Sequence, residues 1–213
     1  MHRFATVLGV VATLVTLACG GAVLAATGAE RPSPESSAPP WQEVAAPAGS
    51  FDVPPEPEGW TVREPELVVY YADRYGEPMV GVAGPAVLDD GYCPEGTGAS
   101  NRGFAGLTGP HPGSPRQVNL REARSWASAV AGLRPAATRT SHLALDDGSV
   151  AVRSHVVVRP ARSGPCQPDR VWLDLVSVAG PAGVVTLVVV RDLGPDQVPA
   201  AVVDRILRSL RVP

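Results

Sequence analysis

The sequence predicts an α+β domain, in which an antiparallel β-sheet is covered by two amphipathic helices, as in a PsbP-like sandwich. Seven short apolar or alternating segments have the length and the period of strands. Two further segments carry apolar residues every three or four positions, as helices with one buried face do. The organisation along the chain is predicted as an apolar N-terminal segment (1–26), a disordered linker (27–50) and the folded domain (51–213).

The N-terminal segment predicts export from the cytoplasm. Residues 4–26 carry no charge and are almost entirely apolar, and about 20 such residues suffice for a transmembrane helix. A cleaved secretory signal has the same pattern, with Arg3 before the apolar stretch and small residues near Ala25. Cys19 adds lipidation as a third possibility, although Thr16 and Leu17 fit a lipobox poorly. All three alternatives place the folded domain outside the cytoplasm, on the cell membrane or secreted.

A proline-rich stretch follows, and residues 27–50 of it are assigned to the linker. Its Pro, Ser, Ala and Glu residues bury too little apolar surface to offset the entropy of ordering. Prolines favour extended polyproline II, so the linker is predicted to act as a spacer. A proline-rich peptide ligand is the alternative, but the stretch has no repeated P-x-x-P motif with flanking basic residues.

The strands are predicted from short apolar patterns and from the turns between them. Val152 and Val156 share one face of a strand, whereas Arg153 and His155 lie on the other face, which indicates a half-buried strand. Asp147-Gly148 suits a two-residue hairpin turn with both residues at positive φ. The predicted strands are 60–63, 67–71, 79–88, 139–145, 150–159, 171–178 and 184–190.

Two helices are predicted on the same grounds. The first spans about 119–133, with Asn119 as its N-cap and Glu122 completing a capping box. The second spans about 197–210, with Asp196 as its cap and Pro199 in its first turn. The apolar face of the second helix holds five residues: Val202, Val203, Ile206, Leu207 and Leu210.

Two cysteines of the folded domain predict one disulfide. Cys93 and Cys166 both lie in turn-rich segments, and an even number of cysteines in an extracytoplasmic domain favours pairing. Metal binding is the alternative, but two isolated cysteines without a C-x-x-C motif or paired histidines are poor zinc ligands. No metal and no cofactor is predicted.

The stretch 91–117 is predicted as a long irregular loop, because it holds seven glycines. Tyr92, Arg102 and Arg116 are the candidate ligand-binding residues beside it. Gly96, Gly98 and Gly103 resemble a phosphate-binding loop, but the patterns of dinucleotide and P-loop sites are both incomplete. Asp89-Asp90 and Asp146-Asp147 lack the spacing of a calcium loop and are interpreted as turns.

No catalytic residue is predicted. The histidines of the folded domain, His111, His142 and His155, have no serine in a G-x-S-x-G motif or reactive cysteine beside them in the sequence. The net charge is −3 and the sequence shows no basic stripe of the kind that phosphate backbones require, so no nucleic-acid partner is predicted.

Several short motifs occur in order along the folded domain. They are Phe51-Asp52-Val53-Pro54, Gly59-Trp60, Tyr92-Cys93-Pro94, Ser100-Asn101-Arg102-Gly103, Ala123, Trp126, Cys166 and 206–211. With these motifs the chain resembles an actinobacterial family of extracytoplasmic domains of unknown function, family 8017, over about residues 51–211. The opening motif and the C-terminal helix are also similar to those of PsbP-like and LpqN-like sandwiches. The resemblance implies a membrane segment, a spacer and an outer domain without known activity.

The sequence therefore predicts a non-catalytic cell-envelope module that binds a protein or a wall component and contacts the membrane through its N-terminal segment. A small-ligand-binding protein or enzyme, with a pocket beside the 91–117 loop, is the alternative.

Overall fold

The computed structural model describes residues 39–93, 100–132, 138–161, 166–194 and 197–213. The predicted membrane or signal segment (1–26), with Cys19, and the first part of the predicted linker lie outside these residues. No helix within the described ranges is both long and apolar enough to cross a membrane.

The described residues form ten strands, two α-helices and one short 3-10 helix. The strands are β1 (Gln42–Ala46), β2 (Gly49–Val53), β3 (Trp60–Val62), β4 (Val68–Ala72), β5 (Pro78–Leu88), β6 (Gly103–His111), β7 (Thr138–Ala144), β8 (Val150–Val158), β9 (Val171–Gly180) and β10 (Gly183–Asp192). The helices are α1 (Pro115–Ala131) and α2 (Ala200–Arg208), and the 3-10 helix is Glu56–Glu58.

Eight strands make one antiparallel sheet in the order β3-β5-β6-β10-β9-β8-β7, with β4 also paired to β5. The long central strands β9 and β10 form a hairpin in which Leu175 is opposite Val188. On its other side β10 pairs with β6, where Val189 is opposite Ala105. Strands β1 and β2 form a separate hairpin.

Both faces of the large sheet are covered. Because side chains alternate along a strand, Val188 and Val190 of β10 lie in the cluster that contains Trp126 of α1. Leu187 and Val189 lie in the opposite cluster, with α2 and the β1-β2 hairpin. The predicted double burial of strand 184–190 is confirmed.

The predicted α+β class, with its PsbP-like arrangement, is wrong: the described structure is mostly β, with only two α-helices. The main reason is β6, which arises from the glycine-rich stretch predicted to be a loop. A Cβ atom at Gly106 would lie 2.6 Å from Cγ2 of Val82, and one at Gly103 would lie 2.5 Å from the Val190 carbonyl oxygen. These glycines therefore permit close strand packing, which their composition alone does not distinguish from a flexible loop.

The predicted linker is also wrong from residue 42 onward, where β1 and the start of β2 lie. Val44 and Phe51 are fully buried in the core. Ser50 exchanges backbone hydrogen bonds of 2.9 and 2.8 Å with Arg211 near the C-terminus. The Arg211 guanidinium donates to Oδ1 of Asp52 at 2.7 Å. Long-range contacts thus order a segment whose composition favours disorder.

Both helices begin elsewhere than predicted. Helix α1 starts four residues earlier, capped by Ser114, which forms a capping box with Gln117. Asn119, the predicted cap, is instead buried and donates to the Val152 carbonyl at 3.0 Å. Helix α2 begins at Ala200 after Pro199; the predicted cap, Asp196, lies outside the described residues. The turn at Asp147-Gly148 is present, but only Gly148 has positive φ.

Candidate functional site

The predicted disulfide is present and forms one wall of a cleft. Cys93 and Cys166 are bonded, with their Cα atoms 5.8 Å apart. Beside them the Tyr92 hydroxyl donates a hydrogen bond to the Cys166 carbonyl oxygen. The disulfide and this hydrogen bond join the segment after β5 to the segment before β9, and so hold one end of the cleft together.

The cleft has a volume of about 560 Å³, within the range of small-molecule sites. Its walls come from five places: edge strand β4, the start of β6, the C-terminal part of α1, the disulfide segments and the end of β10. The lining side chains used below are Tyr71, Tyr92, Phe104, Ala129 and Asp192. Asp192 is the only charged residue among the described ones that line it.

Asp192 is the last residue of β10 and so lies at the end of a central strand. Its backbone N–H donates to the Arg102 carbonyl at 2.8 Å, which fixes the residue in place. No described residue forms a hydrogen bond or an ion pair with its carboxylate. Burial raises the pKa of this carboxyl to about 7, and the positive charge of Arg102 opposes the rise only in part. An acidic group in this state favours either a proton or a bound cation.

Tyr71 of β4 faces the same cleft and belongs to an aromatic cluster. Its ring centroid lies 6.0 Å from that of Phe104 and 6.1 Å from that of Trp126, on which it packs edge-on. Burial, and to a smaller extent the negative charge of Asp192, raise the pKa of the Tyr71 hydroxyl. The hydroxyl is therefore neutral and makes no hydrogen bond to the described residues, so it is available to a ligand.

A smaller hollow of about 160 Å³ adjoins the cleft and shares Tyr92 and Asp192 with it. Arg102 lines this hollow and not the larger cleft. Its guanidinium carbon lies 5.2 Å from the centre of the Tyr92 ring, and its Nε atom lies 3.8 Å from Oδ2 of Asp89. Burial, followed by the charge of Asp192, raises the pKa of Tyr92, while Arg102 opposes the rise.

Two of the three predicted ligand-binding residues therefore come together. Tyr92 and Arg102 contact each other beside Asp192. Arg116 lies in the exposed first turn of α1 and lines neither hollow. Sequence analysis missed Asp192 and Tyr71, because an acidic residue ending a strand and a tyrosine within one are common in any sheet.

A second polar cluster lies on the opposite face of the sheet, beneath α2. The Asp174 carboxylate is fully buried, and its Oδ1 accepts hydrogen bonds from Arg153 Nη2 at 2.8 Å and from His155 Nδ1 at 3.0 Å. Nη2 of Arg191 lies 3.6 Å from the other oxygen, Oδ2. Burial disfavours ionisation, but the hydrogen bonds from His155 and Arg153 prevail and lower the pKa of Asp174.

This cluster fastens α2 and the segment before it to the sheet. Arg153 also donates to Oδ1 of Asp204 on α2 at 2.7 Å. Arg191 donates to the Val198 carbonyl at 2.8 Å and stacks on Trp172, with 4.0 Å between the guanidinium carbon and the ring centre. The strand face that carries Arg153 and His155 is therefore covered by a helix. Because these residues bind Asp174 and Asp204, the role of the cluster is to hold the fold together.

One hairpin concentrates exposed apolar side chains. Of the six large hydrophobic residues that are exposed among the described ones, five lie on or beside β4 and β5: Leu67, Val68, Tyr70, Tyr75 and Met79. An apolar surface of this kind is typical of contact with another molecule.

Comparison with known proteins gives one match. The model of a family described as a domain of unknown function (DUF8017) matches residues 34–213. No curated protein and no solved structure matches significantly. The match begins before β1, in agreement with the ordered segment that sequence analysis assigned to the linker.

Proposed function

The chain belongs to the DUF8017 family, whose description assigns no activity, and we propose that it is a non-catalytic binding module. Its small ligand binds in the cleft beside the disulfide. The observation that carries the proposal is the Asp192 carboxylate, which lies in a cleft of about 560 Å³ without a partner among the described residues. A half-buried charge without a partner destabilises the fold. Its presence beside an open cavity supports a role in binding, because binding sites often retain groups that lower stability.

The surroundings of Asp192 support binding over catalysis. The cleft lining includes Ser100 and tyrosines, but among the described residues it holds no histidine that could form an acid–base pair with Asp192. Both cysteines that line the cleft, Cys93 and Cys166, are joined in the disulfide. Two described histidines contact a carboxylate, and neither lines the cleft. His155 lies on the opposite face of the sheet and packs edge-on against Trp172 at 5.1 Å. Nε2 of His111 lies 3.4 Å from Oε1 of Glu122.

The proposed location is the outer side of the cell membrane, or the medium if the leader is removed. Two observations support it: the uncharged apolar segment 4–26 and the Cys93–Cys166 disulfide, which is typical of oxidising compartments. In this location the ligand would be a wall component or another small molecule outside the cell. The protein partner expected from the sequence stays a prediction.

A fragment screen by protein-observed NMR tests the proposal. Compounds that bind should shift the backbone signals of Tyr71, Tyr92 and Asp192 in the full-length chain. Ala129→Trp places a large side chain in the cleft from α1 and should abolish these shifts.

Ser125→Trp is the matched control, because Ser125 lies one turn earlier on α1, is exposed and does not line the cleft. This variant should leave the fragment shifts unchanged. Fragments that bind elsewhere, or that bind Ala129→Trp as well as the parent chain, would contradict a ligand site in the cleft.

A further inference from the structure

We infer that the ligand carries a protonated amine, which binds the Asp192 carboxylate between the rings of Tyr71 and Tyr92. This inference rests on the proposed ligand-binding function and adds the chemical class of the ligand. It follows from three features of the cleft: the sign of its charge, the aromatic groups beside that charge, and the position of the nearest arginine.

The charge of the cleft is negative. Asp192 is the only charged group among the described residues that line it, so nothing in the lining balances the carboxylate. Burial has removed part of the hydration that would otherwise stabilise that carboxylate. A cation that enters the cleft therefore replaces lost water contacts with a charge-assisted hydrogen bond, whereas an anion would meet repulsion.

The side chains next to Asp192 also suit a cation. Tyr71 and Tyr92 both line the cleft, and the negative charge of Asp192 contributes to the raised pKa of both hydroxyls. The faces of aromatic rings attract ammonium groups, and the attraction is strongest where water is excluded. The Tyr71 hydroxyl, which has no hydrogen-bond partner among the described residues, adds an acceptor for an N–H group.

Arg102 is a cation that already lies against one of these two rings, that of Tyr92. The Arg102 guanidinium stacks on Tyr92, with 5.2 Å between its central carbon and the ring centre. Arg102 lines the smaller hollow and does not line the cleft. The cleft side of the carboxylate therefore remains open to a cation from solution. Arg102 weakens the attraction for a second cation, because its own positive charge already favours the ionised form of Asp192.

Two probes that differ only in their head group test the inference: cyclohexylammonium and cyclohexanol. Each is titrated at pH 8 into the isotope-labelled full-length chain, and the dissociation constant is read from the backbone NMR shifts of Tyr71, Tyr92 and Asp192. We expect cyclohexylammonium to bind more tightly than cyclohexanol. Asp192→Asn should weaken the ammonium by about tenfold and leave the alcohol unchanged, because only the ammonium uses the charge.

Asp90→Asn is the matched control. It removes one negative charge from an exposed site paired with Arg63, outside the cleft, and should affect neither probe. If Asp90→Asn weakens the ammonium as much as Asp192→Asn does, the attraction comes from net charge and the inference fails.

The remaining outcomes separate the two proposals. If both probes bind the cleft equally and Asp192→Asn changes neither, the amine class is wrong while ligand binding in the cleft stands. If fragments bind the cleft but cyclohexylammonium does not, the amine class is again wrong. If neither the fragments nor the two probes shift the cleft residues, both proposals fail together.

Discussion

Removing the charge of Asp192 should make this protein more stable at alkaline pH. In Asp192→Asn the side chain keeps nearly the same size and shape but cannot ionise. The parent carboxyl has its pKa raised from 3.8 to about 7 because burial disfavours the charged form. The folded state therefore holds the proton more tightly than the unfolded state does, and the free energy of unfolding falls as pH rises from about 4 to about 7.

The size of the effect follows from the pKa values. A rise from 3.8 to about 7 corresponds to about 4 kcal/mol between the two protonation states. Solvent reaches the carboxyl through the cleft and screens part of this energy, so we expect about 2 kcal/mol. For a domain of this size, that difference raises the melting temperature of Asp192→Asn by about 4–8 °C at pH 8. Near pH 4 the Asp192 carboxyl is neutral in the folded parent and only partly ionised in the unfolded chain, so the melting temperatures of the two proteins should differ little.

Calorimetric melting of both proteins between pH 4 and pH 8 measures this difference. Asp147→Asn is an informative control, because the Asp147 carboxylate accepts a hydrogen bond from the Ser149 backbone N–H at 2.8 Å, and this bond lowers the pKa. The difference in stability between that variant and the parent should stay nearly constant over this range, because the pKa of Asp147 is lowered from 3.8 and its carboxylate is ionised throughout. If Asp192→Asn is less stable than the parent at pH 8, or if its advantage does not depend on pH, the carboxylate is not a destabilising charge and the reasoning fails.

Three further predictions concern stability. Asp174→Ala should lower the free energy of unfolding by about 3–5 kcal/mol in urea, because Arg153 and Arg191 lose their buried counter-charge; a loss below about 1 kcal/mol would mean that water replaces the carboxylate. Replacing both Cys93 and Cys166 by Ser should lower it by about 4 kcal/mol, since the disulfide closes a loop with a sequence separation of 73 residues. In the parent isolated from its native cells, the two cysteines should accept an alkylating label only after reduction, and labelling without reduction would refute the proposed oxidising location. Trp126→Ala should lower the free energy of unfolding by about 3–5 kcal/mol, because the Trp126 ring is fully buried between α1 and the sheet. An unchanged melting temperature would contradict this packing.

The strands were predictable where apolar side chains mark them. The strands from β7 to β10 lie close to their predicted bounds, because segments rich in β-branched residues and bounded by turn residues have few alternatives. The missed strands have other causes of order. In β6, Gly103 and Gly106 leave room for backbone and side-chain atoms that a Cβ atom would contact too closely. The β1-β2 hairpin depends on contacts with residues far along the chain. Without these strands the helical share of the fold was overestimated.

The candidate site was predictable only in part. Tyr92 and Arg102 were identified because they lie in an unusual glycine-rich stretch next to a cysteine. Asp192 gains its properties from burial, which Arg102 offsets only in part, and from the lack of a hydrogen-bonded or ion-paired partner among the described residues. Neither can be derived from its neighbours in the sequence. The partners of Arg153 and His155 likewise come from other elements, β9 and α2, which a strand pattern does not reveal.

The most direct test of the account is the pKa of Asp192 itself, followed by carbon-detected NMR of the side-chain carboxyl in the full-length protein without ligand. We expect titration near pH 7, and a lower pKa once cyclohexylammonium is present, because a bound cation stabilises the charged form. Titration near pH 4 in the free protein would show a hydrated or paired carboxylate, and the cleft would lose the feature that supports it as a binding site.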